Sequence, residues 1–279
     1  MKLASFIYNN IYTYGVVSEK GAYSVTDTFL HEYKGLKQVI DAGLSHQLMN
    51  YCNVEPVPFE KIQLIKPIMN ENKILCVGMN YKKIYPLDVA PPPVGEIIIW
   101  ARNEDSLVNP GEKLTIPVGA GANTFDYEGE IVVVIGKPTF RILESEAWDH
   151  VLGCSLMNEG SVRAWQKHSI HAGKNFFKSG SWGPWITTLD ELPELDAICL
   201  RTTVNGEERQ KACINEMIFS IPEIVSYISH IHPLNAGDII ATGSPHGSGG
   251  SLNPPKFLKH DDVIVVAATG LGTLSNTVN

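Results

Sequence analysis

Two apolar-rich runs, residues 2–8 and 11–18, flank Asn9-Asn10, so the chain is predicted to open with a pair of short strands joined by a hairpin turn. Within residues 31–42 the apolar side chains Leu36, Val39, Ile40 and then Leu44 recur at helical spacing, and Gly43 supplies the stop signal. Residues 54–67 carry Pro56, Pro58 and Pro67 around a short apolar run, which reads as a connector from a small N-terminal α+β unit, too small to stand alone, into a new one. The new unit starts with a buried strand at 74–78. Residues 80–95 then hold Pro86, Pro91, Pro92 and Pro93, a pattern that excludes a regular helix or a central strand and predicts a proline-stiffened lid loop.

Further strands are predicted at 97–100, 113–116, 130–135, 151–156, 198–204 with a turn at Asn205-Gly206, 238–241 and 263–268. Residues 218–231 have helical spacing, with Pro222 placed in the first turn. The fold class expected is therefore α+β and strand-dominated, with residues 1–67 as the small N-terminal domain and connector and 68–279 as the main domain. No internal repeat is visible. The Gly247–Gly250 and Gly270–Gly272 clusters lack the strand, spacing and helix of a nucleotide site and read as turns.

Composition narrows the function classes. At 279 residues, with 44% hydrophobic and 19% charged side chains, the chain can bury a sizeable core, and a net charge of −8 gives no electrostatic footprint for nucleic acid or an acidic membrane. The five cysteines are scattered without a CxxC pair, and four sit in apolar stretches, which points to free thiols rather than to a disulfide framework or a zinc site. The first residues turn polar at Asn9 without the apolar core of a signal peptide, and no segment approaches the roughly 20 apolar residues of a membrane span. The cytoplasm is the expected compartment.

Against this background one stretch stands out. Phe125-Asp126-Tyr127-Glu128-Gly129-Glu130 runs directly into the β-branched sequence Ile131-Val132-Val133-Val134-Ile135. The apolar run reads as a strand covered on both faces, and residues two apart share a face, so Glu128 and Glu130 project together. Two readings stay open: a solvated strand end, or a pair of buried carboxylates that needs a divalent cation with oxygen ligands such as Mg²⁺, Mn²⁺ or Ca²⁺. Downstream, Met157-Asn158-Glu159-Gly160-Ser161-Val162-Arg163-Ala164-Trp165-Gln166 gathers an amide, a carboxylate, an arginine and a glutamine after an apolar strand. Gly173-Lys174-Asn175-Phe176, Trp182-Gly183-Pro184-Trp185 and Thr242-Gly243-Ser244-Pro245 follow.

Taken in order with KILCVGMNY at 73–81, Val204-Asn205-Gly206-Glu207, Met217-Ile218-Phe219 and residues 233–238, these segments give the chain from about Lys73 to Val278 a pattern that resembles the fumarylacetoacetate hydrolase family. The resemblance implies a mixed β-sandwich roll behind a small N-terminal domain, a homodimer, and a divalent metal, usually Mg²⁺, on three carboxylates. Two of these map to Glu128 and Glu130. The third, an aspartate in the family, is Glu159 here. Lys174 falls on the family's active-site lysine, and Arg163, Gln166, Thr242 and Tyr81 on positions that line the pocket. The implied substrate is a small 2-oxo acid or 1,3-dicarbonyl carboxylate whose enolate the metal stabilises.

The pattern breaks in three places. Where smaller family members carry His-x-x-Glu after the Asn-Tyr pair, this chain has Ile84-Tyr85-Pro86-Leu87, and neither Ile84 nor Leu87 can move a proton. His168, His171, His246, Tyr85, Lys82 and Lys83 are candidate replacements. A family Phe-x-Lys strand reads Trp100-Ala101-Arg102, and Phe177 stands where an aspartate is frequent. Hydrolysis of a C–C bond needs an activated water, whereas decarboxylation or keto–enol isomerisation needs chiefly the metal and a proton donor, so the expected balance shifts to a decarboxylase or isomerase. The alternatives are a non-catalytic metal- or ligand-binding homologue and a biosynthetic lyase or cyclase.

Overall fold

In the N-terminal hairpin, β1 (Lys2–Tyr8) and β2 (Ile11–Ser18) pair antiparallel across Asn9 and Asn10, both at positive φ, the geometry a two-residue turn between twisted strands requires. The computed structural model describes residues 1–69, 72–82 and 95–279. β3 (Gly21–Ser24) extends the hairpin. The helix expected over 31–42 is instead two short helices, α1 (Asp27–Glu32) and α2 (Leu36–Asp41). Thr26 caps the first through its hydroxyl, and both Tyr33 and Gly35 are extended, which breaks the run; only Leu36, Val39 and Ile40 then form the buried stripe.

β4 (Ile62–Ile65), β5 (Ile74–Gly78), β6 (Ile98–Ala101), β7 (Leu107–Val108), β8 (Phe125–Asp126), β9 (Gly129–Ile135) and β10 (Val151–Asn158) follow. β11 (Ser161–Val162), α3 (Arg163–Gln166), α4 (Ile170–Lys174) and β12 (Gly180–Thr188) come next. β13 (Cys199–Val204), β14 (Glu207–Cys213), α5 (Ile221–Ile231), β15 (Ile239–Ala241), β16 (Val263–Ala268) and β17 (Gly272–Thr277) complete the chain. α5 carries its proline in the first turn, as its pattern predicts, and is closed by a reciprocal Ser220–Glu223 cap. The strand expected at 113–116 does not form; Leu114 makes a lone bridge to Val278, while the next N–H, that of Thr115, donates to the Lys178 carbonyl, so successive donors go to different segments and no ladder builds.

The strands build a strand-dominated α+β fold with a large mixed sheet. Its order is β3-β2-β1-β12-β10-β9-β15-β5-β6, with β4 beside β1 and β7 beside β12, so the N-terminal hairpin continues the sheet that the main unit starts. A second sheet, β14-β13-β16-β17, packs across it. β9 lies between two cores. Ile131, Val133 and Ile135 enter the core shared with the second sheet, while Val132 and Val134 enter the one that also holds Leu36, Val39, Ile40 and Trp182. Strict alternation over an unbroken apolar run thus buries both faces.

The free-thiol reading needs one correction. Cys199 and Cys213 form a disulfide, facing each other in register across β13 and β14. Their spacing of 14 residues carries no signature; the hairpin register brings them together. Cys52, Cys76 and Cys154 are free. Among the described residues no helix is long and apolar enough to cross a membrane.

Candidate active site

β9 and β10 run antiparallel, with Gly129 opposite Asn158, so the start of one strand meets the end of the other. That register places Glu128 and Glu130 beside Glu159, and the backbone N–H of Glu159 donates to the Glu128 carbonyl at 2.7 Å. One carboxylate oxygen from each of the three lies within 4.8 Å of the others, and all three side chains are buried. The solvated strand-end reading of Glu128 and Glu130 is excluded by this burial.

Lys174 reaches the same place from α4. Ser169 caps that helix, and Gly173 lets it settle against α3, since a Cβ there would come within 2.2 Å of Gln166 Cγ. The ammonium group contacts Glu128 Oε2 and lies 2.6 Å from Glu159 Oε2. Arg163 joins from α3, with Nη2 2.8 Å from Glu128 Oε1 and Nε donating to Asp126 Oδ2 at 2.7 Å, while Nη1 donates to Gln166 Oε1 at 3.1 Å. Ser161 Oγ donates to Glu128 Oε2 at 2.9 Å.

These contacts drive the carboxylates apart. Burial pushes the Glu128 carboxyl up, but Arg163 and then Lys174 outweigh it and hold the group far below the usual carboxylate range. Glu130 makes no ion pair among the described residues and accepts only the Gly243 N–H at 2.9 Å; burial, with the charge of Glu159 added, pushes it well above that range. Lys174 loses proton affinity to burial but regains more from Glu128 and Glu159, so it stays an ammonium. Three hard oxygen donors converge here, one of them without a cationic partner, and this donor set fits Mg²⁺, Mn²⁺ or Ca²⁺ better than a soft metal.

The remaining expected site residues fall differently. Thr242 is fully buried and its hydroxyl donates to the Ile131 carbonyl at 2.9 Å, so it ties the β15 end to β9. Asn80 holds the Thr242 carbonyl in turn. Tyr81 is buried and bridges to Met217; burial, then the charge of Glu130, pushes its phenol above its ordinary value. Gln166 meets Arg163 alone of the site groups described above. His168 and His171 are exposed, His168 beside the Trp165 ring, and Lys82 is exposed; His246 is half-buried. Ile84, Tyr85, Pro86, Leu87 and Lys83, with most of the expected lid, lie outside the described residues.

Several groups had no site assignment from the sequence. Asp126 is fully buried and accepts from the N–H groups of Gly249 at 2.6 Å and Gly250 at 2.9 Å as well as from Arg163, so it joins that glycine loop to the site. Its period-two spacing with Glu128 and Glu130 was the available signal. Trp100 Nε1 donates to Glu159 Oε1 at 2.9 Å, and Arg102 Nη1 lies 3.6 Å from the same oxygen. Cys76, on β5, is buried against this cluster; burial, then Glu159 and Glu130, push its thiol well up.

A profile of the fumarylacetoacetate (FAA) hydrolase C-terminal family matches residues 73–279. The chain is 34% identical over 233 residues to oxaloacetate tautomerase YisK of Bacillus subtilis, an alignment covering 78% of this chain and 73% of that one. It is 35% identical over 221 residues to the mitochondrial oxaloacetate tautomerase fahd2 of Xenopus laevis, covering 78% and 68%. The fold superposes on the solved structure of a fumarylacetoacetate hydrolase from Exiguobacterium antarcticum with a TM-score of 0.86 at 29% identity, over 100% of this chain and 99% of that one.

Proposed function

Since the chain belongs to the fumarylacetoacetate hydrolase family, we propose that it is a divalent-metal-dependent enzyme that interconverts the keto and enol forms of a small 2-oxo acid or 1,3-dicarbonyl carboxylate. The observation that carries this reading is the buried Glu128, Glu130 and Glu159 cluster with the Lys174 ammonium against it. Two relatives more than 30% identical to it are named as oxaloacetate tautomerases, which favours tautomerisation among the family's reactions.

Glu128, Glu130 and Glu159 would hold the ion, Mg²⁺ in the first instance, with Mn²⁺ or Ca²⁺ as alternatives. When bound, the ion supplies a Lewis acid toward the oxygens of an oxo-carboxylate. Lys174, kept protonated by its two carboxylates, donates a hydrogen bond to the oxygen that gains charge as the enolate forms. Arg163 fixes Glu128 and offers a cation for a substrate carboxylate, with Gln166 holding the guanidinium in plane. Thr242 and Tyr81 shape the wall next to Glu130. Ile84 and Leu87, which cannot activate water, weigh against C–C hydrolysis. We read the protein as a cytoplasmic homodimer, which sedimentation velocity and cell fractionation check.

The test is a panel of oxaloacetate, acylpyruvates and fumarylpyruvate with Mg²⁺ or Mn²⁺, run on the wild type and on Glu130→Gln. Loss of the oxaloacetate enol is expected to be metal-dependent and slower by about a hundredfold or more in the variant. Equal rates in EDTA, or in Glu130→Gln, would remove the proposed ligand role. Release of CO₂, or cleavage of an acylpyruvate, with no tautomerisation would replace the reaction while leaving the metal site in place.

A further inference from the structure

Glu159 is one methylene longer than the aspartate expected at its position, so its carboxylate has one more torsion to restrain. The structure restrains it from one side. Trp100, at the end of β6, donates its indole N–H to Oε1 at 2.9 Å, and Arg102 Nη1 lies 3.6 Å from that oxygen, while Oε2 is left to Lys174 at 2.6 Å. The two oxygens of one carboxylate therefore have separate partners: Oε1 meets fixed scaffold, and Oε2 meets the interior of the site.

Both anchoring side chains are themselves held. Arg102 is buried, with Nε donating to Ser106 Oγ at 3.2 Å, Nη1 to the Gly160 carbonyl at 3.0 Å and Nη2 to Ser179 Oγ at 3.0 Å. The Trp100 ring lies on Gly78 of the neighbouring strand, where a Cβ would come within 2.7 Å of it, and the Lys174 ammonium sits 5.2 Å from the ring centroid. One indole thus touches both Glu159 and Lys174.

We infer that Trp100, backed by Arg102, is a positioning residue that sorts the two oxygens of Glu159 and presents Oε2 alone to a divalent ion. The inference rests on the metal reading above. An outer hydrogen bond that orients a ligating carboxylate typically accounts for ten- to a hundredfold in metal affinity, and Trp100-Ala101-Arg102 with Glu159 makes such a set, the longer ligand matched by a donor that a phenylalanine lacks.

Trp100→Phe keeps the ring and removes the N–H. Mn²⁺ titration of the full chain, read from the paramagnetic resonance signal of free Mn²⁺, is expected to give roughly tenfold weaker binding in the variant. In a Glu159→Gln background, adding Trp100→Phe is expected to leave the residual affinity unchanged, because the residue acts through that carboxylate; a general loss of packing would weaken both backgrounds alike. If Trp100→Phe does not fold, Arg102→Lys, which keeps the charge and loses the fork, is expected to weaken Mn²⁺ several-fold with the same dependence on Glu159. Wild-type affinity in a folded variant, or equal losses in both backgrounds, overturns the inference. Glu130→Gln weakening Mn²⁺ binding while folded Trp100→Phe keeps the wild-type affinity would overturn it and leave the metal reading standing; no Mn²⁺ binding by the wild type overturns both.

Discussion

Glu128 and Glu130 stand two residues apart and are driven in opposite directions by what faces them. Glu128 meets Arg163 and Lys174, so its folded-state affinity for a proton is lowered, and the stability it contributes is present above the ordinary carboxylate range and lost as pH falls through its depressed value. Glu130 is buried with a single N–H to accept from and the charge of Glu159 nearby, so burial first and Glu159 second raise its affinity, and the folded state binds more protons than the unfolded one between the two values. Metal-free protein is therefore expected to lose stability as pH rises from the ordinary carboxylate range through the raised value of Glu130. Urea unfolding across pH in EDTA checks this. Glu130→Gln should flatten that slope, and Mg²⁺ should reverse the loss in the wild type; an unchanged slope in the variant would assign the pH dependence to another group.

At the scale of the strand, Gly129 explains how two acidic side chains sit on a segment packed between cores. A Cβ at Gly129 would come within 2.0 Å of Thr202 Oγ1 on β13, so the second sheet can approach only because this position is bare. Thr202 is fully buried and β-branched, which leaves it little room to turn away. Gly129→Ala is expected to cost about 1–3 kcal/mol by overpacking, measured by urea unfolding. Adding Thr202→Ala should recover most of it. Failure of that rescue would mean the cost lies in the β9 backbone rather than in the clash. The Glu-Gly-Glu spacing is readable in the sequence, but the reason for its glycine is a residue more than 70 positions away.

At the scale of the whole molecule, we propose residues 1–67 and 68–279 as the two units of the chain, divided by chain order rather than by independent stability, since one sheet runs through both. Lys2 and Leu3 pair with Thr187 and Ile186 of β12, and Leu3, Tyr14, Val16 and the α2 stripe share a core with Trp182 and Ile186. Removing 1–67 would bare the β12 edge and that apolar face together. A 68–279 fragment is expected to show no cooperative unfolding transition by circular dichroism and to bind apolar dyes. A cooperative transition like that of the full chain would show instead that the second unit folds alone.

The amino-acid sequence determined by itself those features set by local periodicity and local chemistry. The opening hairpin follows from Asn9-Asn10, α5 from its apolar spacing with a proline in the first turn, and the twice-buried β9 from five consecutive β-branched residues, while Glu159 and Lys174 are pointed to only by the family resemblance that the ordered motifs carry. Tertiary structure decided everything that depends on register between distant segments. The β9–β10 pairing joined the three carboxylates, the β13–β14 pairing joined Cys199 to Cys213, and the β5–β6 pairing laid the Trp100 ring on Gly78 within reach of Glu159. A strand's own pattern states which faces it buries; it does not state which neighbour it will meet, and a one-residue change of register would turn each of these side chains to the other face.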